Sequence, residues 1–88
     1  MPAEFIPKEL YKIAKAIYKY KGQCILIGGA VRDYFLKNKI PKDFDIEVFG
    51  IDQKILESIL QNFGRLQIVG KSFGVLKLIT EKGEYDFC

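Results

Sequence analysis

The alternating segment Asp43–Phe49, with the sequence DFDIEVF, does most to restrict how this chain can fold. Acids take turns with apolar residues, and successive side chains of a strand point to opposite faces. The segment therefore predicts a strand with one apolar face and one face that carries Asp43, Asp45 and Glu47. Like charges on one face repel each other, and they are tolerated readily where a cation or basic groups lie beside them. This acidic face is the first candidate for a functional site.

The residues before that strand predict a place where a phosphate could bind. Residues 24–27 form a short apolar run, which indicates a strand buried on both faces. Gly28 and Gly29 follow and lead into a predicted helix, so that backbone N–H groups at the helix start could face a phosphate. Arg32, in the first turn of that helix, could add a bidentate contact. The two glycines by themselves would equally allow a sharp strand-to-helix turn without a ligand.

The spacing of Asp43 and Asp45 suits a site for metal ions. Two residues apart on one strand, their Cα atoms would be about 6.5–7 Å apart, and both carboxylates could lean toward ions between them. Two-metal sites hold their ions roughly 3.5–4 Å apart. Taken alone, the pair could also be a turn-capping Asp43 followed by an ordinary surface Asp45.

The rest of the chain is predicted to supply two helices and further strands. One helix is expected from Pro7 to about residue 20, closed by Gly22, and a second from Asp52, as its N-cap, to about residue 62. Lysines on the exposed face of the first helix could contact RNA phosphates or simply be solvated. Strands are predicted at residues 66–69, from 73 or 74 to 80, and at 84–88, with a tight turn at 81–83.

A third carboxylate could come from the last predicted strand, where Glu84 and Asp86 share a face. If its hairpin pairs beside Asp43–Phe49, Asp86 could bind a metal ion or accept a proton from an attacking hydroxyl. Glu84 is the alternative, and spacing does not choose between them.

Composition limits the chemistry of such a site. The 88 residues make one domain with a net charge of +3, which permits an anionic partner without requiring one. The chain has no histidine, so a metal would be held by carboxylates, which favours magnesium or manganese. Cys24 and Cys88 are expected to be reduced thiols in a cytoplasmic protein, and no apolar run has membrane-spanning length.

Taken together, these segments resemble the tRNA nucleotidyltransferase/poly(A) polymerase family, specifically the catalytic head of its class II, bacterial-type members. The matching sequences are IGGAVRD at residues 27–33, KDFDIEVFG at 42–50, SFGV at 72–75 and YDF at 85–87. The resemblance covers nearly all of residues 25–88.

This resemblance implies an α+β (α/β) fold, a polymerase-β-like nucleotidyltransferase palm with a small mixed sheet flanked by helices. It implies metal binding by Asp43 and Asp45, Asp86 as the third catalytic carboxylate, and two Mg²⁺ ions as cofactors. Gly28, Gly29 and Arg32 would hold the triphosphate of CTP or ATP, and the acceptor would be an RNA 3′-hydroxyl, with a tRNA 3′ end as the expected class.

Other interpretations remain open at this point. The basic residues and the helical region that follow the last carboxylate strand in the family are not in this sequence, so we expect an excised head or one part of a split enzyme completed by a second polypeptide. A non-catalytic nucleotide- or RNA-binding remnant is the alternative. Half of a dinucleotide-binding fold is disfavoured, because Asp33 takes the position of that motif's third glycine.

Overall fold

Two helices cover one face of a five-stranded sheet in the computed structural model, which describes residues 6–27, 43–69 and 74–88. The helices are α1 (Lys8–Lys19) and α2 (Gln53–Leu60). The strands are β1 (Gln23–Leu26), β2 (Asp43–Phe49), β3 (Arg65–Val69), β4 (Val75–Thr80) and β5 (Gly83–Phe87). This mixed sheet with its helices confirms the predicted α+β class. No helix in the part of the chain described is both long enough and apolar enough to cross a membrane.

The strands lie in the order β1-β2-β5-β4-β3, and one central pair is parallel. β2 and β5 run in the same direction, whereas β1 with β2, β5 with β4, and β4 with β3 are antiparallel. The predicted pairing of the last hairpin beside Asp43–Phe49 is therefore confirmed. Because parallel neighbours need a crossover connection, the chain passes through α2, β3 and β4 before β5 returns beside β2.

The core lies between the helices and the apolar face of the sheet. Both helices contribute apolar stripes at helical spacing, and the three inner strands contribute alternate residues. Tyr85 lies near the centre, with its ring 5.8 Å from that of Phe44 and 6.5 Å from that of Phe87, measured between centroids. The buried residues are Leu10, Ile13, Ile17, Phe44, Ile46, Leu56, Ile59, Leu60, Leu76, Leu78, Tyr85 and Phe87.

The prediction that the first strand is buried on both faces is wrong. In the described sheet β1 lies at the end of the strand order, beside β2 alone, and its residues alternate between exposed and half-buried. Cys24 and Leu26 pack against the core, whereas Ile25 is 52% exposed on the opposite face. An apolar run in sequence reveals hydrophobicity but not how many of its faces are covered.

Two of the predicted helix boundary signals, Gly22 and Asp52, act differently in the structure. The residue with positive φ after α1 is Lys21, at 68°, and not Gly22. Gly22 is needed for close packing, because a Cβ there would lie 2.6 Å from Cγ2 of Ile17. Asp52 does occupy the N-cap of α2, but its side chain makes no capping hydrogen bond.

Candidate functional site

The sheet face turned away from the helices, which we call the acidic face, carries Asp43, Asp45, Glu47, Glu84 and Asp86. The parallel register of β2 and β5 sets Asp43 opposite Glu84 and Asp45 opposite Asp86. Neighbouring strands are about 4.7–4.9 Å apart, so each opposed pair brings two carboxylates close together. The β2 acids are exposed, whereas those of β5 are half-buried. The structure thus places all three carboxylates predicted as catalytic on one face of the sheet.

Among the described residues, one lysine lies beside these carboxylates. Lys77 of β4 is the cross-strand partner of Asp86. Its Nζ lies 3.4 Å from Oδ1 of Asp86 and 3.6 Å from Oε2 of Glu84. The negative charge of Asp86, more than that of Glu84, raises the pKa of Lys77 above its ordinary value. A row of charged side chains, Asp45, Asp86 and Lys77, therefore crosses three neighbouring strands.

One oxygen of Asp86 is poorly satisfied. Its Oδ1 is buried and accepts no hydrogen bond, although Lys77 is close enough to form an ion pair. Charge-assisted N–H···O bonds are usually about 2.7–2.9 Å long, so the contact of 3.4 Å leaves acceptor capacity on this oxygen. A buried acceptor of this kind favours a cation or a donor next to it.

The donor chemistry of the acidic face fits a hard divalent cation. Carboxylate oxygens are the ligands that Mg²⁺ and Mn²⁺ prefer, and the unsatisfied Oδ1 of Asp86 points to the same class of ligand. Across residues 6–27, 43–69 and 74–88, however, no group of three or more such side chains is already gathered as a metal site. Binding of an ion would require the side chains to move toward each other.

The predicted phosphate-binding residues Gly28, Gly29 and Arg32 lie outside the residues that the structure describes, as does Asp33. The structure does describe Ile27, the residue that immediately precedes them. Ile27, just after β1, donates its backbone N–H to the carbonyl oxygen of Asp45 at 2.8 Å. The last described residue before Gly28 is therefore hydrogen-bonded to the backbone at the middle of the acidic strand.

Lys77 is not among the site residues predicted from the sequence. The signal was available, because β4 reads VLKLIT and its only charged residue interrupts an apolar strand. Because side chains alternate along a strand, Lys77 lies on the same face as Glu84 and Asp86, and buried Leu76 and Leu78 lie on the opposite face. A lysine within an apolar strand is expected either to be exposed to solvent or to pair with an acidic residue.

Tyr85, which precedes Asp86 on β5 and points to the opposite face of the sheet, links β5 to α1. Its hydroxyl donates to Oε2 of Glu9 at 2.9 Å, and the Thr80 hydroxyl donates to the same oxygen at 2.7 Å. Burial, and then the hydrogen bond and charge of Glu9, raise the pKa of Tyr85 above its ordinary value. Asp86 therefore follows a residue whose position is set by both packing and hydrogen bonding.

Comparisons with known proteins agree with this fold. The profile of the Poly A polymerase head domain matches residues 24–88. The fold is similar to that of the Bacillus stearothermophilus CCA-adding enzyme, solved in complex with CTP, with 24% identity, a TM-score of 0.69 and 99% of this chain covered. A CCA-adding enzyme solved with ATP gives 22% identity, a TM-score of 0.73 and 97% coverage. This chain spans 20% and 21% of the length of those two chains, and no curated protein matches it.

Proposed function

Because the chain belongs to the family of Poly A polymerase head domains, we propose that it performs metal-dependent nucleotidyl transfer from CTP or ATP to an RNA 3′-hydroxyl. The observation that carries the proposal is the parallel pairing that sets Asp45 opposite Asp86. This register assembles carboxylates from distant parts of the chain on one sheet face. The CTP and ATP complexes of the CCA-adding enzymes with this fold support a nucleoside triphosphate as the ligand.

In this proposal Asp43 and Asp45 would hold two Mg²⁺ ions. Ions bound in this way stabilise charge on the attacking and leaving oxygens of an in-line displacement. Gly28, Gly29 and Arg32 bind and orient the triphosphate. Asp86, the third carboxylate, would bind a metal ion or accept the proton of the attacking hydroxyl, and Glu84, opposite Asp43, is the alternative to Asp86.

The acceptor is part of the proposal as well. We take a tRNA 3′ end as the acceptor class, because the two solved relatives are CCA-adding enzymes. The chain corresponds to about a fifth of each of them. Selection of the base and retention of the RNA would therefore involve residues beyond these 88, in a further segment or in a second polypeptide.

A second candidate is a nucleotide-binding module that does not transfer. The observation in its favour is that Lys77 already neutralises part of the charge of Asp86 and Glu84. In addition, the described residues hold no preassembled group of three metal-ligating side chains. Such a module would bind CTP or ATP without extending an RNA.

The decisive variant is Asp45→Asn, with Glu47→Gln as its matched control on the same strand. Calorimetric titration would measure Mg²⁺-dependent CTP and ATP binding, and labelled nucleotides would measure RNA extension. We expect Asp45→Asn to lower transfer by at least about 100-fold, since metal ions contribute several kcal/mol of charge stabilisation. Binding by the unsubstituted chain without extension, even with the corresponding downstream region of a CCA-adding enzyme added in trans, would favour the second candidate. Unchanged binding and transfer in Asp45→Asn would refute the site.

A further inference from the structure

We infer that Lys77 is a positioning residue of the acidic face: it holds the Asp86 carboxylate while no metal is bound, and it opposes divalent-cation binding there. The inference rests on the proposed function, because it concerns the carboxylates assigned to the metal site. It adds a residue that tunes how tightly that site binds its ion.

The contacts of Lys77 single it out. Both ion pairs found within the described residues involve its Nζ, one with Asp86 and one with Glu84. Its side chain is 30% exposed, so most of its stem is packed in the sheet while its ammonium group reaches the carboxylates. The backbone of Lys77 is therefore held in β4, while its ammonium group is at the end of a flexible side chain.

The balance of charge gives this position its effect. Five acids lie on the acidic face, and the register puts two pairs of them directly opposite each other. Like charges directly opposite on neighbouring strands destabilise a sheet. Without a metal, Lys77 offsets part of that repulsion on the β5 side. With a metal, the same ammonium becomes a like charge beside the ion.

The length of the ion pair indicates that a cation could displace Lys77 from Asp86. At 3.4 Å from Nζ, Oδ1 of Asp86 is neither saturated by Lys77 nor hydrogen-bonded elsewhere. A divalent cation could therefore gain this oxygen without the breaking of a short charge-assisted hydrogen bond. The cost that remains is repulsion between the cation and the ammonium, partly screened by water because all three side chains are partly exposed.

The test compares Mn²⁺ binding by Lys77→Met with that by the unsubstituted chain, measured by titration calorimetry without nucleotide. Methionine retains a long unbranched side chain and removes the charge. Because ion pairs between partly exposed side chains are weak, we expect the Mn²⁺ dissociation constant to fall by about two- to five-fold. Lys77→Arg should bind as the unsubstituted chain does, and Lys12→Met, on the exposed face of α1, controls for net charge.

Stability provides a second readout, independent of activity. Without divalent ions, Lys77→Met should have a lower melting temperature than the unsubstituted chain. Addition of Mn²⁺ should raise the melting temperature of Lys77→Met by more than it raises the melting temperature of the unsubstituted chain. In Lys77→Met/Asp86→Asn the loss without ions should largely disappear, since the repelling carboxylate is gone. If Lys77→Met folds only when Mn²⁺ is added, the inference is supported, and Lys77→Gln then supplies the dissociation constant.

Two outcomes separate this inference from the proposed function. Mn²⁺ binding that is lost in Asp45→Asn but is equally tight in the unsubstituted chain, Lys77→Met and Lys77→Gln would overturn the role of Lys77 and leave the metal site standing. Absence of Mn²⁺ binding in every variant would overturn both. If Lys12→Met binds Mn²⁺ more tightly to the same extent as Lys77→Met does, the role of Lys77 would also be overturned, because net charge alone would then account for the effect.

Discussion

Asp45 and Asp86 are direct cross-strand partners in the parallel pair of β2 and β5, although 40 residues separate them in sequence. Cross-strand side-chain pairs contribute about 0.2–1 kcal/mol each, and like charges directly opposite each other destabilise a sheet. We therefore expect Asp45→Asn to increase the free energy of unfolding by up to about 1 kcal/mol without divalent ions, as measured by urea denaturation. Glu47→Gln is the control, because its partner on β1 is the uncharged Ile25. A lower stability of Asp45→Asn would contradict this account of the acidic face.

The link between α1 and β5 predicts a large effect of a small change. Tyr85→Phe removes the hydroxyl that donates to Oε2 of Glu9 and leaves the buried ring in place. Hydrogen bonds to charged groups contribute about 1.5–3 kcal/mol, and the bond from Thr80 remains, so we expect a loss near the lower end of that range. Thermal and urea denaturation would measure it. Tyr18→Phe, at a site that is 72% exposed, should leave stability unchanged, and equal effects of the two changes would contradict the prediction.

The same tyrosine predicts how stability depends on alkaline pH. Burial and Glu9 raise the pKa of Tyr85 in the folded chain above the value of about 10 for an unfolded tyrosine. Above about pH 10 the unfolded state loses this proton first, so stability falls as pH rises toward the folded pKa, and the contribution is complete below about pH 10.

Urea midpoints measured across this alkaline range would check the effect. Tyr85→Phe should show a shallower decline than the unsubstituted chain, whereas Tyr18→Phe should show the same decline. Parallel curves for all three proteins would mean that Tyr85 does not titrate differently on folding.

The two free cysteines should differ in reactivity. Cys24 is half-buried on β1 and Cys88 is exposed. Burial raises the pKa of the Cys24 thiol, which lowers the fraction of reactive thiolate at neutral pH. We expect iodoacetamide to modify Cys88 first and Cys24 more slowly, with the difference lost in urea. Mass spectrometry of Cys24→Ala and Cys88→Ser would assign the two rates, and faster modification of Cys24 would contradict the packing of β1.

Local patterns in the sequence were sufficient to predict the elements that form the acidic face. The alternation of Asp43–Phe49 predicted the bounds of β2, since one face of that strand is buried and the other is not. The hairpin at residues 81–83 predicted the partner strand with Asp86. The resemblance of these motifs to the nucleotidyltransferase family predicted the fold, and the family match and the two structural relatives confirm it.

Features that depend on which strands become neighbours were not predictable in this way. The exposure of Ile25 follows from the place of β1 at the end of the described sheet, which an apolar run does not reveal. The ion pairs of Lys77 depend on the register between β4 and β5. The roles of Gly28, Gly29 and Arg32 stay predictions, because these residues lie outside the described part of the chain.

The parallel pairing of β2 with β5 also has a consequence for folding kinetics. A tight turn cannot join parallel neighbours, so Asp45 and Asp86 become adjacent only after the intervening α2, β3 and β4 have closed a long loop. Contacts of such large sequence separation form slowly, because chain entropy must be lost before they contribute. In a folding intermediate with only its hairpins formed, the acids of β2 and β5 would not yet lie opposite each other. The time at which divalent ions begin to bind during refolding would therefore report when β2 and β5 pair.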